Sequence, residues 1–226
     1  MRAVTAVRDL STFRRFIAVL ATRCGQMFNR TDLAAPLGVS IPTISQSLSV
    51  FETTSIIALI PPYFDSAGKR IVKSPKMHFI DSGLACHLLG IETEPALRRS
   101  PFHGPLFEGF VASEITKQQL NAGRRREIYW FRDHQGLEVD FVVPELPTRT
   151  HGSEGLVLVK AKCGRTVQPS MADSMLKLAA GLGARPVRLF VVHGGAPQMT
   201  TALCRGVSAV DLGGLLDLLA PRSLPR

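Results

Sequence analysis

The sequence predicts an α/β chain: an N-terminal winged helix-turn-helix, then a mixed sheet flanked by helices. Three observations carry this. Residues 11–54 hold three short segments with apolar residues at helical spacing, the last two joined by a glycine-bearing turn, and two apolar strands follow. The rhythm then changes to helix, three strands, helix and strand. A chain of 226 residues with 45% apolar content has enough core for one large domain or two small ones.

In the first helix, "STFRRFIAVLATRCG", Phe13, Phe16, Ile17, Leu20 and Ala21 recur along one face behind the cap candidate Ser11, and Gly25 ends it. The segment "NRTDLAAPLG" reads as a short helix capped at Asn29 or Thr31 and stopped by Gly38. The third, "SIPTISQSLSVFETT", is capped by Ser40 and buries Ile44, Leu48 and Phe51. A strand "SIIALIPPYF", a turn "DSAGKR" and a strand "IVKSPKMHFI" form the wing. The second helix of the helix-turn-helix offers Thr43, Ser45, Gln46, Ser47 and Ser49 but no arginine or lysine. It lacks the arginine that most often reads guanine, so sequence-specific reading is not expected. The wing carries Lys69, Arg70, Lys73 and Lys76, which suit phosphate contacts. The same unit also reads as a protein-docking module.

A short helix "DSGLACHLLGI", capped by Asp81 or Ser82, precedes the polar, proline-bearing "ETEPALRRSPFHGP". The domain boundary is placed there, at Thr93 to His103, giving domains 1–95 and 96–226. Beyond it run a helix "PLFEGFVASEITKQQLNAG", strands "REIYWFRD", "LEVDFVV" and "GLVLVKAK", a helix "SMADSMLKLAAGLG", a strand "PVRLFVV" and a C-terminal "SAVDLGGLLDLLA". Alternation on the first strand puts one of Tyr129 and Trp130 in the core and leaves the other partly exposed.

A balance of 27 Lys and Arg against 18 Asp and Glu leaves +9, which favours a polyanion or an acidic partner domain. Cys24, Cys86, Cys163 and Cys204 form no C-x-x-C pair, and the six histidines show no ligand spacing, so neither zinc nor a disulfide framework is indicated. The N-terminal "MRAVTAVRDL" lacks the apolar core of a signal peptide and no stretch suits a membrane span. The cytoplasm is the expected location, with no membrane partner.

The runs "RCGQMFNRTDLAAPLGVSIPTISQSLSVFETT", "KRIVKSPKMHFIDSGLACHLLGI", "LFEGFVASEI", "YWFRDHQGLEVDFVV" and "LVLVKAK" resemble, in order, the C-terminal region of a family of bacterial and archaeal AAA-type ATPases. That region is a domain of unknown function whose second half is similar in fold to PD-(D/E)XK nucleases. The resemblance implies an AAA-type ATPase module as partner, in cis or in trans. No G-x-x-x-x-G-K-[ST] occurs in the sequence, so ATP hydrolysis is not expected of this chain.

A PD-(D/E)XK site needs an aspartate on the hairpin strand, then a carboxylate two residues before a lysine. Asp140 matches the first position and Lys160 the last, while the middle position is Leu158. Glu108 is a candidate supporting carboxylate, and Glu138 shares the Asp140 face by strand alternation. On that implication Asp140, Lys160 and Glu108 are the vestigial or weak catalytic set. Asp140 and Glu108 are the metal ligands, and magnesium is a cofactor only if the site is active. The residues themselves also allow a structural ion pair of Asp140 with Lys160 or Arg132. The function expected is a non-catalytic accessory module of the ATPase that binds a partner domain or nucleic acid without sequence preference. The alternatives are a magnesium-dependent nuclease with an atypical carboxylate set and a winged-helix DNA-binding regulator.

Overall fold

A computed structural model describes residues 10–63, 73–145, 155–195, 201–204 and 207–219. The chain is a mixed α/β protein. It divides into two compact units, one of residues 1–60 and 74–110, the other of residues 61–73 and 111–226.

The first unit opens with helices α1 (Leu10–Ala21), α2 (Thr31–Leu37) and α3 (Ile41–Thr53). Their ends follow from local chemistry. The N-cap of α2 is Arg30, without a side-chain cap bond, rather than Asn29 or Thr31, although Asn29 Oδ1 accepts the Thr31 N–H; Gly38 closes α2 with φ +65°, and Ser40 Oγ accepts the Thr43 N–H ahead of α3. The expected apolar stripe is buried: Phe16, Ile17 and Leu20 meet Ile44, Leu48 and Phe51 in one core. Strands β1 (Ile57–Ile60) and β2 (Lys76–Phe79) form an antiparallel pair. The turn Asp65–Arg70 expected between them lies outside the described residues. The segment after α1 also pairs with β2, the Gly25 N–H donating to the Met77 carbonyl and the Phe28 N–H to that of Pro75. Only glycine fits at position 25, because φ is +74° and an added Cβ would lie 2.9 Å from Pro105 Cβ.

Helix α4 (Ser82–Leu88) is capped by Asp81, as expected. The polar stretch after it, expected as a linker, contains a further helix, α5 (Glu94–Arg99), with Thr93 as its cap, Pro95 in its first turn and an Arg98–Glu94 pair. Helix α6 (His103–Asn121) then runs through the partition between Phe110 and Val111. Leu106, near its start, is buried in the N-terminal core, so the observed partition lies beyond the boundary placed at residue 95.

Among the described residues, the second unit is built on a six-stranded sheet in the order β3-β4-β5-β6-β8-β7. The strands are β3 (Tyr129–Arg132), β4 (Glu138–Pro144), β5 (Leu156–Lys162), β6 (Val187–His193), β7 (Thr201–Cys204) and β8 (Val207–Val210). β5 pairs antiparallel with β4 and parallel with β6, and a 3-10 turn (Pro169–Ala172) and helix α7 (Asp173–Gly181) make the crossover. Leu156, Val157, Leu158 and Val159 are all 0% exposed, so this strand is covered on both faces, which is why its sequence reads as an unbroken apolar run. On one face Leu156 and Leu158 join Val142, Ala172, Met175 and Leu178 in a single core. Helix α8 (Leu212–Leu219) packs on β6 and β8, and the Gln118 amide of α6 donates to its Leu216 carbonyl. Trp130 is the buried ring and Tyr129 the partly exposed one. The expected strand "SIIALIPPYF" is split at Pro61: its first half pairs with β2, while the Tyr63 N–H donates to the Trp130 carbonyl beside β3. β7 was not anticipated from the sequence.

Candidate functional site

Asp140 and Lys160 come together because of strand register. Phe141 faces Val159 across β4 and β5, and one step further the carboxylate meets the ammonium. Lys160 Nζ donates to Asp140 Oδ1 at 2.7 Å and to the Glu138 carbonyl at 3.3 Å; the Ala161 N–H donates to Asp140 Oδ2 at 2.8 Å. Both carboxylate oxygens are therefore occupied, and Asp140 is only 4% exposed. Arg132 pairs instead with Glu138, at 3.6 Å. Of the two partners the sequence allowed for Asp140, the fold selects Lys160.

Leu158 points to the same face of β5 as Lys160 but one pleat deeper, into the core under α7. Nothing at that position can ligate a cation. Glu108 belongs to the other compact unit, where its carboxylate receives the Lys76 ammonium at 2.9 Å and lies 3.7 Å from His78 Nε2. Among the described residues no cluster of three or more His, Cys, Asp or Glu is placed to hold a metal ion. The donor set around Asp140 is a poor fit for magnesium: Lys160 already neutralises Asp140, Arg132 pairs with Glu138, and position 158 adds no oxygen towards a near-octahedral shell.

Lys76 departs from its expected role. Its side chain is buried, 4% exposed, and bound to Glu108 rather than displayed on a wing surface. Lys73 is exposed, and Lys69 and Arg70 lie outside the described residues. Burial, and then the neighbouring Lys76 charge, hold the His78 imidazole down at about 3 from an ordinary 6.5, so it stays neutral and its approach to Glu108 is not an ion pair. Unfolding would let it protonate. Stability linked to His78 is therefore complete above about pH 6.5 and declines as pH falls towards about 3. Chemical-denaturation midpoints across that window should drop more steeply for the natural chain than for His78→Asn; equal slopes would remove His78 from the effect. Burial likewise pushes the Cys24 thiol up to about 11, so it is a packing residue rather than a nucleophile.

Beside the Asp140–Lys160 pair lies a cleft of about 630 Å³. β5 contributes Lys160 and Lys162, α7 contributes Asp173, Ser174 and Lys177, and the 3-10 turn contributes Ser170. The turn before β4 closes it with Gln135 and Leu137. Lys162 was recognisable in the sequence as sharing the Lys160 face. Lys177 and the serines were not, because only the packing of α7 on β4 and β5 brings them there.

Residues 103–212 match the family model described as a domain of unknown function (DUF4143). Residues 1–95 match a second domain of unknown function (DUF8612). Two curated relatives, uncharacterized protein Rv2008c of Mycobacterium tuberculosis and uncharacterized protein Mb2031c of Mycobacterium bovis, are each 33% identical over 185 residues. That aligned stretch is 82% of this chain but 38% of each relative, so it spans about two-fifths of their length. No solved structure matches. Among the described residues, no helix is long and apolar enough to cross a membrane.

Proposed function

We propose that this chain is a non-catalytic accessory module of an AAA-type ATPase, and that it holds nucleic acid through backbone phosphates without reading sequence. The observation that carries the non-catalytic part is the state of Asp140: both oxygens are engaged by Lys160 and the Ala161 N–H, and the neighbouring ligand position is a core leucine. The order of three helices, the Gly25–Phe28 segment paired with β2, and the β1–β2 pair supports a winged helix. A β4–β5 pair carrying Asp140 and Lys160, flanked by a parallel β6, supports a PD-(D/E)XK-like second domain. The unmatched length of the two relatives leaves room in those proteins for a further module.

A sequence-reading regulator is disfavoured by α3. It presents no cation, and its Ser45 and Thr53 hydroxyls donate back to the Ile41 and Ser49 carbonyls of their own helix. The nuclease alternative rests on the Asp140–Lys160 juxtaposition, which such an enzyme also needs. Titrating magnesium and manganese into the protein by calorimetry, with linear and circular DNA incubated in parallel, tests the choice. No binding heat and no cleavage are expected. Cleavage abolished by both Asp140→Ala and Lys160→Ala would overturn the non-catalytic reading.

A further inference from the structure

We infer that the cleft between β5 and α7 is a metal-independent binding site for backbone phosphates of nucleic acid, with Lys162 and Lys177 as its principal cations. The inference rests on the nucleic-acid part of the proposed function and moves its centre from the wing to the second unit. Lys162 and Lys177 come from different elements, line the same cleft and have no ion-pair partner among the described residues. Two unpaired ammonium groups facing one concavity repel each other, and an anion between them relieves that repulsion. Lys160 adds a donor of fixed direction. Of its three N–H groups one is bound to Asp140 and one to the Glu138 carbonyl, which leaves one for a ligand.

Ser170 of the 3-10 turn and Ser174 of α7 add neutral hydroxyl groups to the lining. The cleft's volume, about 630 Å³, falls in the range of small-ligand sites and gives room for a nucleotide unit. Three of the lining side chains are lysines, and ammonium groups are the commonest partners of phosphate oxygens, so the composition suits a phosphate contact. Asp173 is the one carboxylate on the wall among the described residues and opposes an anion. Its charge makes the site weak and provides an internal test of sign.

The Asp140–Lys160 pair has a different part here from the one a nuclease would give it. Asp140 is a positioning residue: it holds the Lys160 ammonium at the cleft wall and contributes no ligand of its own. This explains how a carboxylate with both oxygens occupied belongs to a working site.

The experiment is fluorescence anisotropy with the whole chain in EDTA, using a labelled oligothymidine of about twenty nucleotides, with inorganic phosphate and thymidine monophosphate as competitors. Binding is expected, with log affinity falling linearly in log salt. Lys162→Ala with Lys177→Ala should weaken it and flatten the salt slope by about 1.4, since each single-strand phosphate neutralised accounts for roughly 0.7 of that slope. Asp173→Asn should tighten it, an effect that a purely structural role would not produce. Asp173 and Lys177 are exposed and Lys162 is half-buried, and circular dichroism of each variant confirms the fold. If the unchanged chain fails to bind, the nucleic-acid part of the proposed function falls and this site with it. If it binds, the lysine and Asp173 variants are silent, and Lys69→Ala with Arg70→Ala carries the loss, the cleft assignment alone is overturned. Thymidine monophosphate displacing the oligomer at equal phosphate concentration would also overturn it, since a polymer site gains from neighbouring contacts that a monomer cannot make.

Discussion

Leu158→Glu should destabilise the second unit by about 4 kcal/mol or more, the largest effect expected of any single substitution in the sheet. The side chain is 0% exposed and packed among Val142, Met175 and Leu178, so a charged carboxylate there is cut off from water in an apolar core. Leu158→Met, which keeps volume and polarity, should cost less than about 1.5 kcal/mol and serves as the control. The comparison is read from urea midpoints. The glutamate also restores the E-x-K pattern beside Lys160, so magnesium or manganese should recover part of its loss by binding only the folded state. Adding Asp140→Ala should abolish that recovery. A Leu158→Glu variant as stable as the natural chain would show that the core under α7 is not closed at this point.

Glu108→Ala should be nearly as damaging to the first unit, by about 3–5 kcal/mol, because it leaves the Lys76 ammonium buried without its carboxylate. Neutral His78 alongside cannot replace that charge. Lys76→Met alone should cost less, since Glu108 is 16% exposed and can recruit water. The double variant Lys76→Met with Glu108→Leu should recover most of the loss, as apolar replacements of buried ion pairs commonly do. Thermal or urea unfolding of the natural chain, Lys76→Met, Glu108→Leu and their double variant as a double-mutant cycle measures the coupling. A near-zero coupling energy would mean that the pair is held by its surroundings rather than holding them. The practical consequence concerns Lys76→Ala, which should lower stability rather than simply remove a phosphate contact. A DNA-binding test of the wing should therefore be confined to Lys69, Arg70 and Lys73.

Local chemistry accounts for what was legible before the structure. Helices α1 to α4 carry apolar residues at helical spacing or a capping residue at their start, and Ser40 and Asp81 cap as those side chains do wherever a first turn exposes its N–H groups. The unbroken apolar run of β5 marks a strand covered on both faces, and period-two alternation places Leu158, Lys160 and Lys162 on one side of it. The missing carboxylate at position 158 was visible for the same reason. The sequence of α5 reads as a linker because it combines Pro95 with charges and is followed by two further prolines. Pro95 nevertheless sits in the first helical turn, where proline costs little, and Arg98 pairs with Glu94 one turn away.

Partnership across long sequence separations had no such local signature. Alternation would place Lys76 and His78 on one face of β2 and Met77 and Phe79 on the other, one of them solvated, yet all four are buried. Inside the fold Lys76 meets Glu108, 32 residues later on another element. The competition between Lys160 and Arg132 for Asp140 was settled by the register of β4 against β5, a property of the hydrogen-bonded ladder rather than of either strand. Lys177 reached the cleft only through the packing of α7 over β4 and β5. Alternation and capping are properties of neighbours along the chain, so residues 137–162 alone already argued against a complete metal site. Which charges are neutralised and which remain to meet a ligand depends on distances between elements, and those exist only once the core has closed.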